Sequence, residues 1–371
     1  MKPEGNGMQI LDLDHIEFYV ADASAAARSL CRAYGFGVYG HGGPETGLAG
    51  QRSVLLGQGD IRLLLTSGLH AAHPASQFVA RHGDGLAVIA LRTDRAAAAY
   101  GEVTQAGAAG QSPPRAWEND AARVVMAEVA GFGDVGYRLV ERSGDAADFQ
   151  PGAIETKPGA DQESARDLLR RIDHLAVCVP AGELDPTIAL HEQVFGCAVT
   201  FREYIELGNQ GMNSKVVQNP SGALTLTIIE PDVSRTPGQI DDFLAWHDGA
   251  GVQHVAYLTT DIVRAVRTLA GRGVEFAVTP PGYYDTLGSR LGRTDIDVEA
   301  LRPLGILADR DHWGQMFQIF TKSAHIRRTY FDELIDRRGA RTFGTSNIPA
   351  LYAAKERELA EIRDTVGTSR A

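Results

Sequence analysis

The chain repeats itself, and the repeat limits the folds open to it. Leu11-Asp-Leu-Asp-His-Ile-Glu-Phe-Tyr-Val20 alternates as a strand does, and an alanine-rich helical run from Ala23 to Tyr34 leads into Gly35-Phe-Gly-Val38. The second half opens in the same way, with Ile172-Asp-His-Leu-Ala-Val-Cys-Val179, a helical run near Pro186 to Val194, and Phe195-Gly-Cys-Ala198. A second pair of segments agrees: His82-Gly-Asp-Gly-Leu-Ala-Val-Ile-Ala-Leu-Arg-Thr-Asp94 parallels the run from His247 to Asp261. Each then enters a helix, Arg95 to Ala106 and Ile262 to Gly271. Strands close both halves, at Arg123 to Val129 with Gly136 to Glu141, and at Ile306 to Ala308 with Gln315 to Lys322. The unit is strand, helix, then several strands, and it occurs four times. Such a unit covers one sheet face with one helix, so the units must pair into strongly curved sheets with helices outside. This is an α+β fold of four βαβββ-type modules forming two open barrels.

A length of 371 residues exceeds one ordinary core. The stretch from Ser143 to about Glu163 is rich in Gly, Pro, Asp and Glu and has little periodicity, so it reads as a linker. The expected organisation is a first domain over 1–155, a linker over 156–170, and a second domain over 171–371 that ends in a helix. Net charge is −11 and the pI is near 5.5, which implies no basic face for a phosphate backbone and excludes nucleic acid as the expected partner. The start, Met1-Lys-Pro-Glu-Gly-Asn-Gly-Met8, lacks the apolar core of a signal peptide, and no run has the length of a membrane-spanning helix. A cytoplasmic protein with no membrane partner is expected. Cys31, Cys178 and Cys197 fit neither a disulfide framework nor a thiolate zinc site. Cys178 sits in an apolar strand pattern where a thiolate is costly.

Three polar residues interrupt these apolar runs. His254 lies in Gly249-Ala-Gly-Val-Gln-His-Val-Ala-Tyr257, His174 in the strand that opens the second half, and Glu333 in Tyr330-Phe-Asp-Glu-Leu-Ile335. A single buried imidazole is ordinarily a core histidine bonded to a carbonyl. Two imidazoles and one carboxylate on three strands can instead form the facial triad that holds Fe(II) with positions open for substrate and oxygen. The repeat supplies an internal control. Aligning Asp94 with Asp261 sets Ala87 opposite His254, so the first half keeps His15 as the counterpart of His174 but has no second imidazole. Its closing strand leads into the linker, with no counterpart of the Glu333 run. His15 is expected to pack in a non-catalytic half, and His70, His73, His191 and His325 fall in polar or loop contexts where a solvated side chain is the default. Gly131-Phe-Gly-Asp134 reads as a hairpin turn, without the context of a dinucleotide site.

At these residues the chain resembles the two-domain vicinal-oxygen-chelate dioxygenases that act on 4-hydroxyphenylpyruvate. The matching pieces are Ile172-Asp-His-Leu175, Met212-Asn-Ser-Lys-Val-Val217, Gly238-Gln-Ile-Asp-Asp242, Gly249 to His254, Tyr283-Tyr-Asp-Thr-Leu-Gly288, Gln318-Ile-Phe-Thr-Lys322, Glu333, Phe343-Gly344 and Glu356-Arg-Glu358. The resemblance implies Fe(II) held by His174, His254 and Glu333, a catalytic C-terminal half, and an N-terminal half kept for structure and association, with which a homodimer is compatible. It implies 4-hydroxyphenylpyruvate and O₂ as reactants, loss of CO₂, and hydroxylation of the decarboxylated product without an external reductant. It also places Ser214, Thr227, Ile229, Gln239, Gln318, Phe343, Asn347 and Ile348 around the substrate.

The family has two branches, one forming homogentisate by ring hydroxylation and one forming 4-hydroxymandelate by benzylic hydroxylation. The first carries Pro-x-Asn-Glu-Pro on a pocket strand, where this chain has Thr227-Ile-Ile-Glu-Pro231. The first also carries phenylalanine after the Phe-Gly-x-x-Asn turn, where this chain has Ile348. Both departures resemble the 4-hydroxymandelate branch, with the homogentisate-forming dioxygenase as the alternative. A metal-free or zinc-binding protein of the same scaffold that only sequesters a small molecule is the competing class. The run from Asn347 to Arg363, with Leu351, Ala354, Leu359 and Ile362 at near-helical spacing, reads as an amphipathic helix that packs on the barrel or, as the resemblance implies, closes it against water.

Overall fold

The computed structural model describes residues 8–145, 148–156, 168–347 and 349–351. The expected linker therefore falls mostly outside the described residues, as do Ile348 and the part of the expected C-terminal helix beyond Leu351. Among the described residues the four modules fold as the repeat predicts. The first half runs β1 (Asp12–Tyr19), α1 (Ala23–Tyr34), β2 (Gly37–Gly42), β3 (Gln51–Gln58), β4 (Ile61–Gly68), α2 (Pro74–His82), β5 (Gly85–Arg92), α3 (Ala96–Gln105), β6 (Gly110–Glu118), β7 (Ala122–Ala130), β8 (Gly136–Gly144) and a short β9 (Glu155–Thr156). The second half runs β10 (Arg171–Cys178), α4 (Leu184–Phe195), β11 (Ala198–Leu207), β12 (Gln210–Gln218), β13 (Thr225–Pro231), α5 (Gln239–His247), β14 (Gly251–Leu258), α6 (Ile262–Gly271), β15 (Leu307–Arg310), β16 (Gln315–Phe320) and β17 (Phe331–Arg338).

Each half is one curled sheet, ordered β6-β7-β8-β5-β1-β4-β3-β2-β9 in the first and β11-β12-β13-β10-β14-β17-β16-β15 in the second. Apart from β9, the two orders are the same pattern in opposite listing direction. The modules of a half join through one antiparallel pair, β1 with β5 or β10 with β14. Side chains alternate between two faces: Leu175, Val177 and Val179 join the large apolar cluster, while His174 and Cys178 face the other way, into the barrel. That cluster contains residues of both halves, from Ile10 to Leu334.

Polar contacts also tie the halves together. Tyr34 at the end of α1 donates to the buried carboxylate of Asp332, beside Glu333. His82 Nδ1 donates to the His247 carbonyl at 2.5 Å. The solvated setting expected for His191 is wrong: it is fully buried on α4, donates from Nδ1 to the Thr187 carbonyl at 2.6 Å, and accepts from the Tyr137 hydroxyl of the first half at 2.6 Å. The sequence around it looks polar because Glu192 and Gln193 face out on the same helix. No helix among the described residues is long and apolar enough to cross a membrane.

Candidate metal centre

Three adjacent strands of the second sheet bring the candidate ligands together. His174 on β10 pairs across with Ala256 on β14, and Ala256 pairs with Glu333 on β17. His254 lies two residues before Ala256, so its side chain projects from the same barrel face. Nε2 of His174 is 3.3 Å and Nε2 of His254 is 3.4 Å from Glu333 Oε2, and the candidate ligand atoms all lie within 4.8 Å of one another. Ligands about 2.1 Å from a metal at right angles stand about 3 Å apart, so the two contacts to Glu333 are close to the spacing that a shared ion requires. All three residues are buried, at 5%, 9% and 2% relative exposure. A buried carboxylate between two imidazoles is a site for a cation, and three ligands from one side leave the opposite positions open.

The electrostatics agree. Burial alone would raise the Glu333 carboxyl, but the charge and hydrogen bonds of the two histidines outweigh it and hold it at about 2. Burial would lower His174, yet Glu333 and Asp173 raise it to about 9. His254 is lowered, chiefly by burial. The trio thus keeps a full negative charge on Glu333 and attracts positive charge to the space between the ligands.

Asp173, Arg337 and Phe343 hold His174 in place. Its Nδ1 donates to Asp173 Oδ1 at 2.9 Å, and Arg337 grips both Asp173 oxygens at 2.8 Å. Burial would raise Asp173, but these hydrogen bonds hold it well below the usual carboxylate range. Phe343 sets its ring edge-on to His174 at 5.0 Å, with the Arg337 guanidinium over its face. His254 stacks on Phe331 at 4.8 Å and meets Phe320 at 5.8 Å. Phe320, Phe331 and Arg337 were not anticipated from the sequence. The aspartate before the histidine in both Asp14-His15 and Asp173-His174 was the signal for half of this support.

The expected pocket residues are distributed unevenly. Ser214 on β12 pairs with Ile229 on β13, and Ile229 pairs with Cys178 on β10, so these side chains share the barrel face with His174. Thr227 pairs with Ala176, which is itself opposite His254. Ile229 packs with Cys178, Met212, Ile240 and Phe243 in an apolar cluster. Gln318 is buried and lies against Gly344, where φ is +81° and an added Cβ would come within 2.5 Å of the Gln318 amide nitrogen. Asn347 is fully buried and accepts from the Tyr283 hydroxyl at 2.6 Å. Gln239 is exposed on the first turn of α5. Thr227 Oγ1 and Asn347 Nδ2 are buried without a hydrogen-bond partner among the described residues.

The first half corrects the internal alignment. Glu17 pairs with Val88 and Ala176 with His254, each just before a bulge, at Ala87 in one ladder and Gln253 in the other. Val88, and not Ala87, is therefore the counterpart of His254. The alignment slipped because Asp261 caps α6, whereas Arg95 occupies that cap position at α3 and Asp94 stands one residue earlier; in a strand, one residue reverses the face. Glu333 also has a counterpart strand. β8 runs beside β5 as β17 runs beside β14, and Arg138, paired with Ala90, stands where Glu333 pairs with Ala256.

Comparison with known proteins places this geometry. The pattern of the glyoxalase/bleomycin resistance protein/dioxygenase superfamily matches residues 14–124 and 173–290, one stretch in each half. The 4-hydroxyphenylpyruvate dioxygenases of Coccidioides posadasii and Aspergillus fumigatus are each 31% identical to the chain, over 94% of it and 92% of the relative. A solved triple mutant of 4-hydroxymandelate synthase from Streptomyces coelicolor is 39% identical and superimposes with a TM-score of 0.84, covering 95% of this chain and 99% of the other.

Proposed function

The chain belongs to the family of 4-hydroxyphenylpyruvate dioxygenases and 4-hydroxymandelate synthase within that superfamily, and on this premise we propose that it converts 4-hydroxyphenylpyruvate and O₂ to 4-hydroxymandelate and CO₂. His174, His254 and Glu333 would hold Fe(II) in the second of two domains, 171–371, with 1–155 as the non-catalytic partner and the whole chain cytoplasmic. When bound, Fe(II) supplies open positions for the 2-oxo acid and for O₂, and oxidative loss of CO₂ provides the electrons, so no external reductant is needed.

The chain's own residues then decide which carbon is hydroxylated. The two products are isomers, so the choice is one of orientation, and a displacement of about an ångström in the reacting atom is enough to change a rate a hundredfold. The observation that carries the 4-hydroxymandelate reading is Ile229. It faces the same barrel interior as His174 and packs among Met212, Ile240 and Phe243, where the homogentisate-forming pattern has an asparagine. An apolar wall there cannot hold a polar substituent in place, and it leaves the ring free to turn its benzylic carbon toward the metal. Phe331, Phe320 and Phe343 surround the two imidazoles with aromatic surface that excludes water. Thr227 and Asn347 offer the unpartnered polar atoms, and Ser214, Gln318 and Gln239 complete the substrate-binding set.

The fungal relatives support the second reading, homogentisate formation. The test is aerobic turnover of 4-hydroxyphenylpyruvate by iron-loaded protein, with oxygen uptake recorded and products separated by chromatography. Mainly 4-hydroxymandelate is expected. Mainly homogentisate would transfer the chain to the dioxygenase branch, and binding without oxygen uptake would make it a sequestering protein.

A further inference from the structure

We infer that Asp173 and Arg337 are positioning residues that fix His174 with its Nε2 lone pair aimed at the metal; the inference rests on the metal-centre reading above. A carboxylate only accepts hydrogen bonds, so the 2.9 Å contact of His174 Nδ1 with Asp173 keeps a proton on Nδ1 and leaves Nε2, 3.3 Å from Glu333, as the ring nitrogen that gives up its proton when an ion binds. Asp173 cannot rotate away, because Arg337 binds both of its oxygens. Arg337 is anchored in turn by the Thr342 carbonyl at 2.7 Å, and it lies over Phe343, whose ring abuts His174. Four side chains thus form a closed ring, His174 to Asp173 to Arg337 to Phe343 and back.

The first half contains the same ring, and there its effect is visible. His15 Nδ1 meets Asp14 at 2.7 Å, Arg142 grips both Asp14 oxygens at 2.7 Å, the Arg142 guanidinium lies over Phe149, and Phe149 sits edge-on to His15 at 4.9 Å. His15 Nε2 then faces Arg138 Nη1 at 3.1 Å. A guanidinium only donates, so Nε2 must accept. The ring therefore presents an imidazole lone pair to a cation in both halves, an arginine side chain in the first and the metal ion in the second. Among the described residues His254 has no such support: its Nδ1 meets only the Gln253 side chain, at 3.4 Å.

A ring that served folding alone would be equivalent in the two halves, and this separates the readings. The full chain, stripped of metal, is titrated with Co(II) under visible spectroscopy and its thermal unfolding is recorded in parallel. Asp173→Asn and Arg337→Met are expected to weaken Co(II) binding about 10- to 100-fold and to shift its visible bands, as loss of such outer support does elsewhere. The matched first-half variants Asp14→Asn and Arg142→Met are expected to lower the unfolding temperature while keeping wild-type Co(II) affinity. Arg337→Lys keeps a charge beside Asp173 without the bidentate grip, and is expected to give a smaller loss that stays measurable should the other variants not fold. Wild-type Co(II) affinity in Asp173→Asn and Arg337→Lys would overturn the positioning role. Absence of Co(II) uptake by the wild-type protein would overturn the metal centre itself.

Discussion

The two barrels are built on one plan and filled in opposite ways. In the first, Arg138 reaches His15, Glu17 and Glu128 at 3.1, 2.7 and 2.7 Å, and Glu17 accepts in turn from Thr66, which is bonded to Ser53. The interior is closed by its own charges. In the second, Ala176 stands at the position of Glu17, Ile229 at that of Thr66, Phe320 at that of Glu128, and Glu333 at that of Arg138. Exchanging a cationic side chain for a carboxylate, and a carboxylate for a methyl group, converts an interior that pairs its own charges into one that can take a cation from outside. The same frame can thus serve as core or as metal centre, and the difference rests on a few barrel-facing positions.

The comparison breaks most sharply at the ligands. His174→Ala, His254→Ala and Glu333→Ala are each expected to abolish oxygen uptake with 4-hydroxyphenylpyruvate, whereas His15→Ala keeps it once allowance is made for stability. An active His254→Ala protein would end the account of the trio. Next in size is Arg138→Met, which strands Glu17 and Glu128 in the first barrel. A loss of about 3–5 kcal/mol in denaturant unfolding is expected, with metal content unchanged; a loss of metal instead would place the metal centre's support in the first half. Smaller again is Tyr34→Phe, which removes one hydrogen bond to buried Asp332 across the two halves. It should cost about 1–3 kcal/mol by the same measurement, and a neutral result would mean that this hydrogen bond does not help to join the halves. The smallest change is in product. Ile229→Asn with Ile348→Phe is expected to divert part of the flux to homogentisate, since about 1.4 kcal/mol separates a tenfold preference from none. An unchanged product ratio would remove Ile229 and Ile348 from the choice.

Much of this was legible in the chain because it is local. The four modules follow from strand periodicity and from the Gly that ends the first helix of each half, and α1 and α6 match their expected spans. His174 and His254 stand out as polar residues in apolar runs. What stayed hidden depends on register and on distant pairing. The bulges at Ala87 and Gln253 leave no mark in the sequence, so one aspartate out of step was enough to misplace the counterpart of His254. Arg138 lies within the expected Gly136–Glu141 strand, and only its ladder partner, Ala90, sets it at the position of Glu333. Arg337 reaches Asp173 across 164 residues of chain, and no local pattern announces such a pair. His191 looked solvated because its burial comes from Tyr137, a residue of the other half.

On the proposed function, one half binds a metal ion and the other supplies its own cation. This difference is read by anaerobic titration of the metal-free protein with Fe(II), in wild type and in His254→Ala. One ion per chain in wild type and none bound at comparable concentration in His254→Ala is the predicted result; two ions per wild-type chain, or one retained in His254→Ala, would contradict it.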